Sequence, residues 1–345
     1  MLKLYPDVTL DFVGTVGGFE RPLVERSGLP FALYREVQAG PIHGVNPFKA
    51  LTSLTKLTMG TGQAVHLLMD RKPQAILSTG GWVSLPVALA ARILRIPTLI
   101  YLPDIEPGLT IKVLRSMASK VAVTVAESQK FFRPGQTVVT GYPLRSEILN
   151  VDWDRAMRYF SLDAARPVLL VFGGSRGARA VNVALGHIIG ELLTDGVQII
   201  HVTGTLDWER TLKHIGPWAD HPDYHGYSYL HEEMPLAFAA ADVVVCRAGA
   251  SILGEFPVFG LPSVLIPLAY SWRYQQVNAD YLAAHGAALH LDESRAMDDL
   301  LPILRDLFNT PERLTAMREA ARTLANPHGA DNVARVLAEL AQGTT

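Results

Sequence analysis

The run Val168-Leu169-Leu170-Val171-Phe172-Gly173-Gly174-Ser175-Arg176-Gly177-Ala178 decides the fold. Its first five residues are apolar without alternation. That pattern marks a strand covered on both faces, the usual state of a strand in a parallel sheet. Glycines end the strand, and an amphipathic stretch over residues 178–193 begins a helix. A strand that turns through glycine into a helix opens a βαβ unit. Downstream the pattern repeats, with strand-like runs at 198–202, 224–227, 243–246, 263–266 and 288–291. Helical stretches fall near 234–240, 251–259 and 275–285, with two more before the C-terminus. Upstream the runs are 9–13, 31–36, 74–78, 98–101, 121–125 and 137–140, with helices near 19–27, 47–70, 83–94 and 109–116. Such alternation predicts an α/β fold of parallel sheets with right-handed crossovers.

Two series in tandem predict two Rossmann-like domains. The chain has 345 residues, which fits two domains at ~100–200 residues each. The boundary is expected within residues 141–154, where GYPLR gives way to polar residues. The expected division is 1–145, 146–325 and a closing helix in 326–345. That helix carries Val333, Val336, Leu337 and Leu340 on one stripe, and burying the stripe on the first domain would tie the halves together.

Composition narrows the function. Lys+Arg number 31 against 33 Asp+Glu, a net charge of −2, so no charge excess draws the chain to nucleic acid. One cysteine, Cys246, excludes a disulfide framework and a cysteine zinc site and fits a reducing, cytoplasmic setting. The start MLKLYPDVTLDF has no apolar core of a signal peptide. Residues 85–101, the most apolar stretch, contain Arg92, Arg95 and two prolines, and read as a buried helix and strand rather than a membrane span of ~20 residues. The histidines show no metal-ligand spacing. No metal and no cofactor is expected.

In open parallel sheets, ligands bind beyond the carboxyl ends of the strands. Four loops there draw attention. Gly173, Gly174 and Ser175 precede a helix, so free N–H groups and the helix dipole favour an anion; the Lys of a P-loop and GxGxxG spacing are both lacking. Arg247-Ala248-Gly249-Ala250-Ser251 leads, one turn on, to Glu255, a carboxylate able to accept from a ribose diol. Gln275 and Gln276 stand after the run 263–266, where amides read sugar hydroxyls. Gly80 and Gly81 follow the run 74–78, where an acceptor or phosphate fits. Each loop alone is matched by a plain reading: a tight turn, a dipole-complementing Glu, a solvated helix start. Together they describe a nucleotide-sugar cleft.

The motifs together resemble the MurG family of glycosyltransferases, glycosyltransferase family 28. They are FVGT at 12–15, STGG at 78–81, PGLT at 107–110, TGYPLR at 140–145, GGSRGA at 173–178, RAGAS with Glu255, GLP at 260–262 and QQVNA at 275–279. The resemblance covers nearly the whole chain. It implies a GT-B fold, two Rossmann-like domains with parallel sheets facing a cleft. It implies inverting transfer of N-acetylglucosamine from UDP-N-acetylglucosamine to a lipid-linked muramoyl-peptide acceptor in peptidoglycan synthesis. It also implies roles: Gly173, Gly174 and Ser175 at the donor phosphates, with the helix start at Ala250 and Ser251; Arg145 near the donor; the backbone around Leu230 at uracil; Glu255 at the ribose; Gln275 and Gln276 at the sugar.

Two departures from the family stand out. The family's acceptor loop reads HEQNxxPG, whereas residues 101–108 here read YLPDIEPG. Asp104 is the expected catalytic base, with Glu106 as the other carboxylate of the loop. The family also opens with a strand and a GGTGGH loop that are absent before Pro6-Asp7. The expectation is a sheet lacking its central strand, a start site placed ~30 residues late, the size of one βαβ step, negligible transfer, and retained UDP binding by the second domain. Two other functions share the fold: a UDP-GlcNAc 2-epimerase, and a non-catalytic or truncated paralogue that binds UDP-sugar only. Peripheral contact with the cytoplasmic face of a membrane is a further expectation. Leu54 and Leu57, with Phe48, Leu51, Lys49 and Lys56 on the same stretch, and Lys112, Arg115 and Lys120 beyond it form an apolar and basic set, although core packing is the favoured reading of the leucine stripe.

Overall fold

The computed structural model describes residues 1–18, 20–40, 47–174, 177–268 and 273–343, the side chains of 47–51 excepted. The chain divides into two units. One comprises Met1–Pro143 with His328–Thr345, the other Leu144–Pro327.

The second unit is built around the apolar strand at Val168–Phe172. After two short helices, α5 (Ser146–Leu149) and α6 (Trp153–Tyr159), the elements alternate: β7 (Val168–Phe172), α7 (Arg179–Thr194), β8 (Gln198–Val202), α8 (Trp208–Ile215), β9 (Tyr224–Tyr227), α9 (Met234–Ala240), β10 (Val243–Cys246), α10 (Ile252–Phe259), β11 (Ser263–Leu265), α11 (Tyr274–Ala284), β12 (Ala288–His290), α12 (Ala296–Asn309) and α13 (Pro311–Thr323). The sheet is parallel, in the order β12-β11-β10-β7-β8-β9. The order reverses at β7, the kind of switch point at which α/β sheets bind ligands. Leu169 and Val171 on β7 pack with Val181, Leu185, Ile188 and Leu192 on α7 to form the core, all 2 % exposed or less.

The first unit holds β1 (Leu10–Thr15), α1 (Glu20–Arg26), β2 (Phe31–Val37), α2 (Pro47–Arg71), β3 (Ile76–Ser78), α3 (Ser84–Leu94), β4 (Thr98–Leu102), α4 (Leu109–Leu114), β5 (Lys120–Val123), β6 (Thr137–Val139) and the last helix α14 (Gly329–Gln342). Its strands form two separate parallel sheets, β1-β2 and β3-β4-β5-β6. Among the described residues no segment pairs between β1 and β3, and these two strands do not pair with each other. The strands β1 and β3 therefore belong to separate sheets. A row of buried, unpaired backbone groups would be prohibitive. Here β3 is only three residues long, and Leu77 within it is 43 % exposed. Of the run at 74–78 only Ile76–Ser78 pairs as a strand; before it Lys72 turns with φ +48° and Pro73 follows.

Helix α2 anchors the separated ribbon. Arg71 at its end makes a two-pronged ion pair with Asp11 of β1, at 2.9 and 3.1 Å. Gln63 accepts from the backbone N–H of Gln38 at 2.9 Å. Gly60 faces the same spot, and a Cβ there would lie 1.9 Å from the Gln38 carbonyl oxygen. Helix α14 lays Val333, Val336 and Leu340 on Leu99, Tyr101 and Ala122 of β4 and β5. Its Asn332 donates to the carbonyl of Thr140 at 3.0 Å.

Candidate active site

A cavity of about 740 Å³ lies at the carboxyl edge of the six-stranded sheet, within the usual size of a small-ligand site, ~300–1,000 Å³. Its floor is the turn after β7. A hydrogen bond from Gly177 N–H to the Gly174 carbonyl, at 2.9 Å, closes that turn. Gly173 is required because the loop doubles back: a Cβ there would stand 2.1 Å from the Ala178 nitrogen. Gly174 has φ +81° with no atom near its absent side chain, so it faces open space. Helix α7 starts at this turn, and its N-cap, Ala178, supplies no capping side chain. The first N–H groups of a sixteen-residue helix therefore point, with the dipole, to where an anion would sit.

The other walls come from three more strand ends. Arg247, Gly249, Ser251 and Ile252 follow β10; Leu268 and Gln275 follow β11; Glu293 follows β12. Gln275 accepts from the backbone N–H of Leu268 at 3.0 Å. That bond occupies its oxygen, so a sugar hydroxyl meeting Gln275 would meet its NH2 donor. Arg247 is only 13 % exposed at its side chain and pairs with Glu293, Nη1 to Oε2 at 2.5 Å. Arg247 Nη1 also donates to the Ile266 carbonyl at 3.0 Å.

Of the residues read from the sequence, Gly173, Gly174, Ser251 and Gln275 meet at this cavity. Ser175 lies outside the described residues. Ala250 sits in the turn between two lining residues without lining the cavity itself, and Gln276 is beside Gln275 but does not line it either. Glu255, half-buried on α10, stands one turn beyond Ser251. Burial raises its carboxyl pKa, while a hydrogen bond with Ser251 and the charge of Arg145 pull it back down. Arg145 and Glu255 are thus brought into one electrostatic neighbourhood. Leu230 is 7 % exposed in the connection between β9 and α9, outside the cavity lining.

The first unit carries the remaining sites. Gly80, Gly81 and Asp104 follow β3 and β4, two paired strands, and so share one carboxyl edge. The loop holding Asp104 is fastened from behind. Thr124 Oγ1 lies 2.9 Å from the Tyr101 hydroxyl and donates to the Pro103 carbonyl at 2.9 Å. Glu106 pairs with Lys112 at 3.6 Å.

Sequence reasoning missed Arg247 and Glu293 as a pair, and Arg179, which also lines the cavity. The strand-end rule that found the glycine loop points to Arg247 and Glu293 equally, since each lies just past a strand. It also missed a buried network behind the loop. His201, fully buried, bonds Asn182 at 3.1 Å and the Tyr224 hydroxyl at 3.0 Å. Asn182 donates to the Thr203 carbonyl at 2.9 Å, the oxygen that would meet a Cβ on Gly177 at 2.4 Å. Since the Asn182 amide NH2 is used on Thr203, His201 donates from Nε2 and accepts from Tyr224 at Nδ1. Burial holds its pKa down to about 3, so the ring is neutral.

Two parallel α/β units with loops gathered at the strand carboxyl ends are the GT-B architecture. The glycosyltransferase family 28 N-terminal domain matches residues 1–123 and the family's C-terminal domain matches residues 168–333. The chain belongs to glycosyltransferase family 28. The UDP-N-acetylglucosamine--N-acetylmuramyl-(pentapeptide) pyrophosphoryl-undecaprenol N-acetylglucosamine transferase of Roseiflexus sp. (strain RS-1) is 39% identical over 370 residues, 95% of this chain and 83% of that protein. The protein of the same name from Bacillus subtilis (strain 168) is 32% identical over 340 residues, 98% of this chain and 93% of that one. Among solved structures, Acinetobacter baumannii MurG matches with a TM-score of 0.75 at 26% identity, over 98% of this chain and 92% of that one. A UDP-GlcNAc 2-epimerase from Neisseria meningitidis, bound to UDP-GlcNAc, covers 99% of this chain and 94% of its own with a TM-score of 0.66, but at 14% identity it shares the fold alone.

Proposed function

We infer that the chain transfers N-acetylglucosamine from UDP-N-acetylglucosamine to a lipid-linked N-acetylmuramyl-pentapeptide acceptor in peptidoglycan synthesis. The observation that carries this is the family 28 match along both halves of the chain, with relatives of that name aligned over 95% or more of it. In an inverting transfer the acceptor hydroxyl attacks the anomeric carbon, its proton passes to a base, and the bond to UDP breaks. The chain must then supply a base and a site for departing negative charge.

The cavity beside α7 suits the second task, with glycine backbone, uncapped helix N–H groups and Arg247. We assign the diphosphate to this loop, the donor sugar to Gln275, and the ribose to Glu255 with Arg145 close by. Asp104 takes the part of the base. A UDP-release assay tests this reading against the negligible transfer expected from the missing opening segment: release is expected with lipid acceptor present and not without it. Acceptor-independent conversion of UDP-N-acetylglucosamine would favour an epimerase, and binding without turnover a non-catalytic chain.

Two substitutions separate the donor contacts. Glu255→Ala is expected to weaken UDP by ~10-fold or more, since a hydrogen bond to a charged group contributes about 1.5–3 kcal/mol; unchanged affinity by calorimetry removes the ribose assignment. Gln275→Ala is expected to weaken UDP-N-acetylglucosamine by ~10-fold while leaving UDP within about twofold. Equal loss for both ligands refutes its assignment to the sugar.

No helix among the described residues is long and apolar enough to cross a membrane. Leu54, Ile93 and Val113 are each more than half exposed, and Lys112, Arg115 and Lys120 are near Val113 in the chain. These features support a peripheral contact with an anionic leaflet, where the acceptor lipid resides. Leu57, by contrast, packs against the core of the first unit.

A further inference from the structure

We propose that Glu293 is a positioning residue that latches Arg247: it holds the guanidinium while the cavity is empty, yields it to the donor diphosphate, and reclaims it as UDP leaves. This rests on the reading of the cavity as the UDP-sugar site. Among the described residues the charged groups lining the cavity are Arg179, Arg247 and Glu293. A carboxylate is the wrong sign for a wall that receives an anion, and its placement calls for a reason.

The geometry supplies one. Glu293 Oε2 is shut off from solvent and has no aligned hydrogen-bond donor, so the charge of Arg247 at 2.5 Å is what holds it. The same Arg247 nitrogen, Nη1, also donates to the Ile266 carbonyl. The pair is therefore neutral as a unit, and an arriving diphosphate must compete with a carboxylate for the guanidinium. The two side chains come from the ends of β10 and β12, with β11 between them, so the pairing is a feature of the folded sheet rather than of one loop.

The consequence falls on product release. UDP carries a terminal phosphate with a second ionisation that the sugar-linked donor lacks, so an unopposed Arg247 would hold the product more tightly than the substrate. Binding energy spent on the product slows turnover. A carboxylate ready to retake the arginine offsets that excess.

The test is calorimetry and steady-state kinetics on Glu293→Gln, which keeps shape and removes charge, and on Glu293→Ala as a second uncharged variant. Both are expected to bind UDP ~10-fold more tightly than wild type, by the size of one Coulomb contact in a partly screened site. Uridine, which has no phosphate, should bind as before. With the lipid acceptor, kcat and KM should fall together and inhibition by UDP should strengthen. Glu293→Asp, which keeps the charge, should stay close to wild type. UDP affinity that is unchanged or weaker in the uncharged variants overturns the latch while leaving the donor site intact. So does parallel tightening of uridine, or tightening in Glu293→Asp equal to that in Glu293→Gln, because shape rather than charge would then be responsible. A wild-type chain that binds no UDP overturns the donor-site reading and the latch with it.

Discussion

Gly174→Val is expected to abolish UDP binding in calorimetry, a loss of more than ~100-fold, while the circular-dichroism spectrum stays that of the wild type. Two properties of the position set this result. Its φ of +81° belongs to the left-handed region, so a β-branched residue is strained by ~1–2 kcal/mol, small against a typical domain stability of ~5–15 kcal/mol. Nothing lies within 4 Å of the added Cβ, so the fold has room for it. The space it enters is the cavity itself, in front of the uncapped start of α7. A side chain there keeps phosphate oxygens away from several N–H donors, each charge-assisted bond contributing about 1.5–3 kcal/mol. Retained UDP binding in this variant would reduce the glycine loop to a plain turn. Gly173 and Gly177 are poorer probes, because their Cβ atoms would strike backbone at 2.1 and 2.4 Å and disturb the loop.

Asp104→Asn is expected to lower kcat by ~10²–10⁴-fold, the usual contribution of a general base. UDP affinity should be unchanged, because Asp104 belongs to the first unit and the cavity to the second. Thr124 and the buried Tyr101 also hold the loop through the Pro103 carbonyl and the ring hydroxyl, so the loop should keep its place. Glu106→Gln is the companion measurement. Glu106 already faces Lys112 at 3.6 Å, and a much smaller effect on kcat is expected. A variant Asp104→Asn with near-wild-type turnover would move the base elsewhere, and a large loss in Glu106→Gln alone would move it within the loop.

The parts of the site legible in the sequence were those encoded by neighbours in the chain. An apolar run followed by glycines and a helix specifies a strand, a tight turn and an exposed helix start, all within about a dozen residues. Gly173, Gly174 and Ser251 were found in that way, and Gln275 by its place after β11 together with the family motif. Arg247 was in view within its loop, but its partner was not. Glu293 stands beyond β12, and only the pairing of β10 with β11 and of β11 with β12 brings the two charges into one wall. His201 and Asn182 were invisible for the same reason. Each sits inside an ordinary apolar strand or helix pattern, and their bond exists because α7 packs on the sheet beside β8.

The first unit shows the complementary limit. Strand periodicity located β1 and β3 but could not say how the gap between them would be resolved. Buried unpaired backbone was the alarming outcome. The folded chain instead keeps a short, partly solvated β3 and holds the β1-β2 ribbon through α2, with Arg71 on Asp11. Local patterning thus determined the α/β class, the order of strands along the chain, the glycine turns and the family, because each depends on spacing within one element or one loop. Tertiary structure decided which strand ends share a wall, which charge faces which, and where the β1-β2 ribbon finds support, because those depend on contacts between residues far apart in the chain.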